Sequence, residues 1–304
     1  MGKESNVSKV ETLEDIASRA LEIAKKKGAS DAAARVYRER NVEVQWRDGK
    51  LEQIKEATTR GLNIRLYVDG KYSAVGTSDL RPEALATFIE DSISLTKALT
   101  KDPFRTLADP KLYAGRSNAN LELEDPKYGT VTPEMRRKFV QELEAAARNV
   151  PGKEKILSVT TSFNDSRSEV FGMSTNGFTG GRVDTTFFGG AQVSVNDPAG
   201  KKPEDYDFAG SRFVGSLPDI AGIGRRAAER TIAKIGAKKP ESATLTMAVD
   251  NRTAGRLVGQ LLGPMSAGAI QQKRSFLEGK LGQKIGSPLL DIVDDPLIPR
   301  GFGS

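Results

Sequence analysis

The 304-residue chain contains neither cysteine nor histidine. Without cysteine there is no disulfide, no thiolate nucleophile and no sulfur ligand for zinc. Without histidine there is no imidazole ligand, no Ser-His or Cys-His machinery, and no side chain that titrates near neutrality unperturbed. Aromatic residues make up only 6% of the chain, with a single tryptophan. No apolar run approaches the ~20 residues that a bilayer-spanning helix needs. The start, MGKESNVSKVETLED, lacks the apolar core of a signal peptide. The expected compartment is the cytoplasm. The chemistry left open is that of carboxylate, lysine, tyrosine or serine, or none at all.

What is present describes an ordinary globular protein. The chain is 38% apolar and 28% charged, and long enough for two or three domains. Its 46 Lys and Arg outnumber 40 Asp and Glu, for a net charge of +6. Nucleic-acid binders concentrate such an excess on one face. Here the basic residues are scattered, in clusters no larger than Lys25-Lys26-Lys27 and Lys201-Lys202. A solvated, mildly basic surface accounts for them.

The periodicity predicts an α+β protein. Residues 12–27 follow helical spacing through Leu13, Ile16, Ala20 and Ile23, with Thr12 and Asp15 set as a capping box and Gly28 as terminator. Alternation then takes over at Val42, Val44 and Trp46. Two Asp-Gly turns, at 48–49 and 69–70, predict an antiparallel meander of about four strands. A helix opened by Pro82 closes a first domain over 10–100. Residues 101–130, with Asp-Pro at 102, 109 and 125, read as a linker. A central α+β region over 131–236 follows, with Asn176-Gly177 as a hairpin signal. Residues 237–304 read as a third unit, a strand, a helix and a tail that stops at RGFGS. They hold the strand-like stretches ATLTMAV and PLLDIV and the helix-like GRLVGQLLGPMSAG at 255–268.

Several constellations invite a chemical reading. Gly222-x-Gly224-x-x-Ala227, with Glu241 downstream, imitates a dinucleotide fingerprint, but no strand precedes it and the glycines fall within a helical pattern. Asp165, Glu169 and the acidic run PEDYD at 203–207 lack the spacing of a hard-metal loop and are expected to be exposed loop carboxylates. Ser266 and Lys273 lie about two helical turns apart, too far for a dyad. Asp294 and Asp295 serve as turn and cap residues before Pro296.

Three stretches carry a resemblance over nearly the whole chain. They are ALEIAKKKGASDA with RDGKLEQIKEATTRGLNIRLYVDGKYSAVGTSDLRPEAL beyond it, the central EVFGMSTNGFTGG, and KRSFLEGKLGQKIGSPLLDIVDDPLIPRGFGS. Together they resemble the TldD/PmbA family, metallopeptidases once described as modulators of DNA gyrase, and its PmbA (TldE) branch in particular. The resemblance implies an N-terminal α/β domain, a middle region and a β-rich C-terminal domain that continues past GFGS. It also implies that catalytic TldD-type subunits carry an HExxxH helix, with a later Cys completing a zinc site. Two imidazoles one turn apart face one metal, and the Glu activates its water. Aligning Leu261-Leu262 with the apolar pair before that motif puts Gly263, Pro264 and Gly268 opposite His, Glu and His. The helix has the right setting and none of the ligands.

The expected role is therefore that of a non-catalytic subunit, with no metal, catalytic or cofactor residue of its own. It would pair as a heterodimer with a TldD-like partner that holds zinc, and the pair would cleave peptides or unfolded segments, as in peptide maturation or antitoxin turnover. A homodimer is also compatible with the sequence. The alternative is a stand-alone binding module, for example for nucleic acid, against which the scattered charge argues. A self-sufficient carboxylate or Ser-Lys hydrolase finds no coherent constellation.

Overall fold

A computed structural model describes residues 11–303. Its contacts divide the chain into two units. The larger runs to Gly236 and takes in the residues from Asp295 onward, and the smaller is Ala237–Asp294.

The larger unit opens with α1 (Leu13–Lys26). The Thr12 hydroxyl accepts the Asp15 amide at 3.1 Å while the Asp15 carboxylate accepts the Thr12 amide at 3.0 Å, so two orphan donors are satisfied at once. Three strands follow: β1 (Asp31–Arg47), β2 (Lys50–Val68) and β3 (Lys71–Thr77). Asp48 and Gly49 both adopt positive φ (48° and 78°), as do Asp69 and Gly70, the condition for tight hairpins that match the strand twist. The meander has three strands rather than about four. Pairing runs from Asp31↔Tyr67 to Arg47↔Lys50, so the stretches on either side of Gly61 form one long strand. Gly61 makes no turn there. It gives room to the Tyr37 ring, whose hydroxyl would lie 2.8 Å from any added Cβ.

After α2 (Pro82–Lys97), residues 101–130 hold only two short 3-10 turns, are mostly exposed, and are anchored at their end. Asp125 is buried, accepting the Val214 amide at 2.8 Å and donating its own amide to Thr185 at 2.8 Å. Next come α3 (Pro133–Ala147), β4 (Ile156–Ser174), β5 (Thr179–Val195), β6 (Glu204–Ser211) and α4 (Ile220–Ile232). The six strands form one antiparallel sheet in the order β3-β2-β1-β4-β5-β6. The meander and the central strands, read in the sequence as successive regions, are therefore joined through β1 and β4, from Ala33↔Ser174 to Arg47↔Thr160.

Strand alternation puts one set of side chains on a single face. Leu62, Val36 and Phe171 share one row of that face, and Ile54, Val44 and Phe163 share another. Helices α1 and α2 cover the first region through Leu21, Leu85 and Ile89, and α3 and α4 cover the second through Val140, Leu143 and Ile223. No described helix packs into either cluster from the opposite face. That face carries Ser, Thr and Asn along β4, with Asn164 bonded to Asn41 and Ser166 to Thr186.

The smaller unit contains α5 (Asn251–Met265) and α6 (Ala267–Gln271). Residues 243–249 and 288–293, strand-like in sequence, join no ladder among the described residues. A strand is defined by its neighbour, and Leu245 and Met247 remain exposed.

Candidate functional site

The stretch that the resemblance sets against a metal-binding helix lies in the smaller unit. Asp250 caps α5, its carboxylate accepting the Arg252 amide at 2.9 Å. Pro264 has no N–H to continue the ladder, and the helix ends at Met265 rather than running on to 268. Ser266 is extended (φ −68°, ψ 139°), and its hydroxyl donates to the Gly263 carbonyl at 2.8 Å and accepts the Ala269 amide at 3.3 Å. That hydroxyl is thus engaged as a cap and not in a dyad with Lys273. Gly263 and Pro264 end one helix while Gly268 belongs to the next, and none offers a side-chain donor. These positions do not fit zinc. Among the described residues no cluster of three or more Asp or Glu side chains is arranged to hold a metal ion.

The dinucleotide-like glycines serve packing. Gly222 and Gly224 are buried within α4. A Cβ on Gly224 would lie 2.2 Å from the Leu143 carbonyl and 3.1 Å from Ala146, so its absence lets α4 rest directly on α3.

The carboxylates correct the expectation of exposed loops. Asp165 is fully buried on β4, gripped by Arg136 of α3 through Nε at 2.5 Å and Nη2 at 2.9 Å. Beside it, Tyr128 accepts a hydrogen bond from Arg40 at 3.3 Å, and Arg40 in turn donates to Glu56 at 2.7 Å. Burial pushes the Tyr128 phenol up, with the Asp165 charge adding to it. Asp207, from the acidic run, is buried on β6 between Arg226 at 2.7 Å and Arg230 at 2.8 Å. Glu169 pairs with Arg38 at 2.7 Å on β4. Charge pairing, rather than metal chemistry, accounts for all three. Asp295 accepts the Leu297 amide at 2.9 Å, as a turn residue should.

One concave region was announced by no motif. A trough of about 770 Å³ crosses the open face of β2, β1, β4 and β5. Its floor is Ala33, Gly172 and Gly180, and Arg35, Arg65 and Arg182 rise around it. Residues 107–116 lie along one side. Tyr113 meets the Phe178 ring edge-on at 5.2 Å and donates to the Ala108 carbonyl at 3.2 Å. Asn176, in the β4–β5 turn, donates to the same carbonyl at 2.7 Å. The signal existed in the sequence as alternate residues on separate strands, but only the register brings them together.

The larger unit is thus an antiparallel sheet with helices on one face, and the smaller carries the helices α5 and α6. Residues 32–96 match the profile of the PmbA/TldA metallopeptidase domain 1, residues 126–235 that of its central domain, and residues 242–304 that of its C-terminal domain. The chain belongs to the PmbA/TldD family. It is 24% identical to Metalloprotease PmbA of Escherichia coli O157:H7 over 296 residues, which are 96% of this chain and 64% of that protein. A metalloprotease of Methanothermobacter thermautotrophicus is 25% identical over 85% of the chain and 55% of its own length. The chain thus spans about three-fifths of the curated relatives it matches. A Bacteroides thetaiotaomicron crystal structure, titled as a modulator of DNA gyrase, superposes with a TM-score of 0.88 at 32% identity, over 95% of this chain and 65% of that one. TldE from Thermococcus kodakarensis shares the fold, with a TM-score of 0.69 at 16% identity over 87% of this chain and 58% of that one. No helix among the described residues is long and apolar enough to cross a membrane.

Proposed function

We propose that this chain is a non-catalytic, PmbA/TldE-type subunit of a peptidase complex, paired with a TldD-like partner that carries the zinc. One observation supports this most directly. The positions aligned with His, Glu and His are Gly263, Pro264 and Gly268, set on two helices separated at Ser266. Neither backbone geometry nor donor set there can hold a metal or move a proton. The partner supplies the hydrolytic chemistry, and this subunit helps shape the space that admits an extended peptide. The substrates are peptides or unfolded segments, in the cytoplasm. Family membership and the PmbA and TldE relatives support the same reading.

The test mixes the purified chain with a candidate TldD-like partner and a flexible peptide, and compares cleavage with each protein alone. Cleavage is expected only from the mixture, with no stoichiometric zinc in the isolated chain by elemental analysis. Chelator-resistant cleavage by this chain alone overturns the assignment. So does one tightly held zinc per chain.

A further inference from the structure

We propose that the trough on the open sheet face binds short peptides through their carboxylates, with Arg35 and Arg65 as the gripping pair. Arg35 lies opposite Asn63, and Arg65 lies opposite Ala33, so the two arginines are diagonal neighbours on one face of the β1–β2 ladder. At that spacing, long side chains from both positions reach a common ligand. Neither guanidinium has an ion pair or hydrogen bond among the described residues, whereas Arg182, the other arginine lining the trough, is committed to Asp184 at 3.4 Å. No Asp or Glu lines the trough. A guanidinium fork matches a carboxylate in two parallel hydrogen bonds, and a low floor with one closed side reduces the water that competes for them.

The surroundings define the rest of the ligand. Gly172 and Gly180 remove side chains from the floor. Arg116 lies over Gly180, where an added Cβ would come within 3.3 Å of its guanidinium, and stacks on Phe178 at 5.1 Å. Tyr113 and Phe178 offer an apolar wall that free phosphate would not use. A volume of about 770 Å³ lies within the usual range of ligand sites, ~300–1,000 Å³. The positive region is also short. Beyond Arg35, the next outward residues of β1 are Tyr37, Glu39, Asn41 and Glu43. A phosphate backbone tracking the strand would run into those two carboxylates, and nucleic-acid binding needs a continuous basic track. A compact anion with an apolar portion meets no such conflict. The choice of a peptide over another small carboxylate rests on the peptidase reading; the recognition of the anion does not.

Fluorescence anisotropy on the full chain tests the site with four labelled probes. The first is a short Glu-rich peptide with an amidated C-terminus. The second has Gln in place of Glu and a free C-terminus, the third has Gln and an amide, and the fourth is a single-stranded oligonucleotide. The first or second is expected to bind, which identifies side-chain or terminal carboxylate as the group recognised, while the third does not. Charge-assisted hydrogen bonds are the stronger kind, so Arg35→Gln with Arg65→Gln should weaken binding about tenfold or more. Lys at both positions should recover part of it, and Gly172→Leu should weaken binding by filling the floor. Both arginines are exposed and unpaired, so circular dichroism should show an unchanged fold in the Gln variant. The proposal falls if the third probe binds as tightly as the others, if the oligonucleotide binds tightest, or if the Gln variant is unaffected. It also falls if no peptide binds, an outcome that leaves partner-dependent cleavage untouched. Intact binding with no cleavage in the mixture would instead fault the subunit assignment alone.

Discussion

Breaking the Arg136–Asp165 pair should be among the most damaging single changes available to this fold. Asp165 is completely buried and Arg136 only 4% exposed, and their bidentate contact ties α3 to the centre of the sheet. In Asp165→Ala the guanidinium keeps its charge in the core and loses both acceptors. Removing one partner of a buried pair costs ~3–5 kcal/mol. For a unit of this size each kcal/mol moves Tm by ~2–4 °C, so the melt should fall by roughly 6–20 °C. Arg136→Met should be comparably harmful, because it leaves the carboxylate stranded beside Tyr128. Replacing both, Asp165→Leu with Arg136→Met, removes two desolvation costs together and should recover most of the loss. Trp46, the only tryptophan, packs against the same core cluster and donates to Glu144 at 2.6 Å, so its fluorescence reports this region beside far-UV circular dichroism. Single variants that lose less than about 1 kcal/mol, or a double variant that loses the sum of the two, would refute the reasoning.

Three smaller perturbations probe other parts of the fold. Gly224→Val should lower Tm despite better helix propensity, because its Cβ would meet the Leu143 carbonyl at 2.2 Å and overpacking costs ~1–3 kcal/mol; an unchanged melt would mean α3 and α4 are not in direct contact. Thr12→Ala should cost ~1 kcal/mol by unmaking the capping box at α1, seen as a lower denaturant midpoint at constant slope. Asp79 should titrate at about 2, held down by hydrogen bonds from Arg81. Because its folded pKa is depressed, its contribution is present above the ordinary carboxylate range and is lost as pH falls toward 2. A carboxyl NMR titration with a midpoint near 4 would contradict the pairing.

Local signals gave the elements, and pairing decided the rest. The capping box at Thr12, the two Asp-Gly hairpins, Pro82 at a helix start and Asn176-Gly177 were all legible, because each depends on residues within a few positions of one another. The continuity of β2 was not, since Gly61 looks like a break until Tyr37 is placed across from it. Asp165 looked like a loop residue for a similar reason: its neighbours in sequence, Asn164 and Ser166, are polar, and only the strand's alternation and a helix 29 residues earlier turn it inward. Pro264 hinted at the end of α5, but the extended Ser266 that starts a second helix was not foreseen. The arginine trough was invisible because its residues come from four strands, a hairpin turn and one irregular segment. Single residues there carry no meaning until the register sets Arg65 beside Arg35.

The joining of β1 to β4 also sets a clock. The Ala32 amide donates to a Thr175 hydroxyl 143 positions later in the chain. At synthesis rates of ~5–20 residues per second, the distal edge of β1 waits roughly 7–30 s for its neighbour to emerge from the ribosome. Throughout that interval a long strand, already hairpinned to β2 on its other side, presents a row of unsatisfied amides and carbonyls to whatever else is being made nearby. The nascent chain should therefore be most prone to capture by holdase chaperones, or to misassociation, before residue 174 has cleared the exit tunnel. Slowing translation downstream of the first hairpin should lower soluble yield, whereas slowing it after the last sheet strand should not.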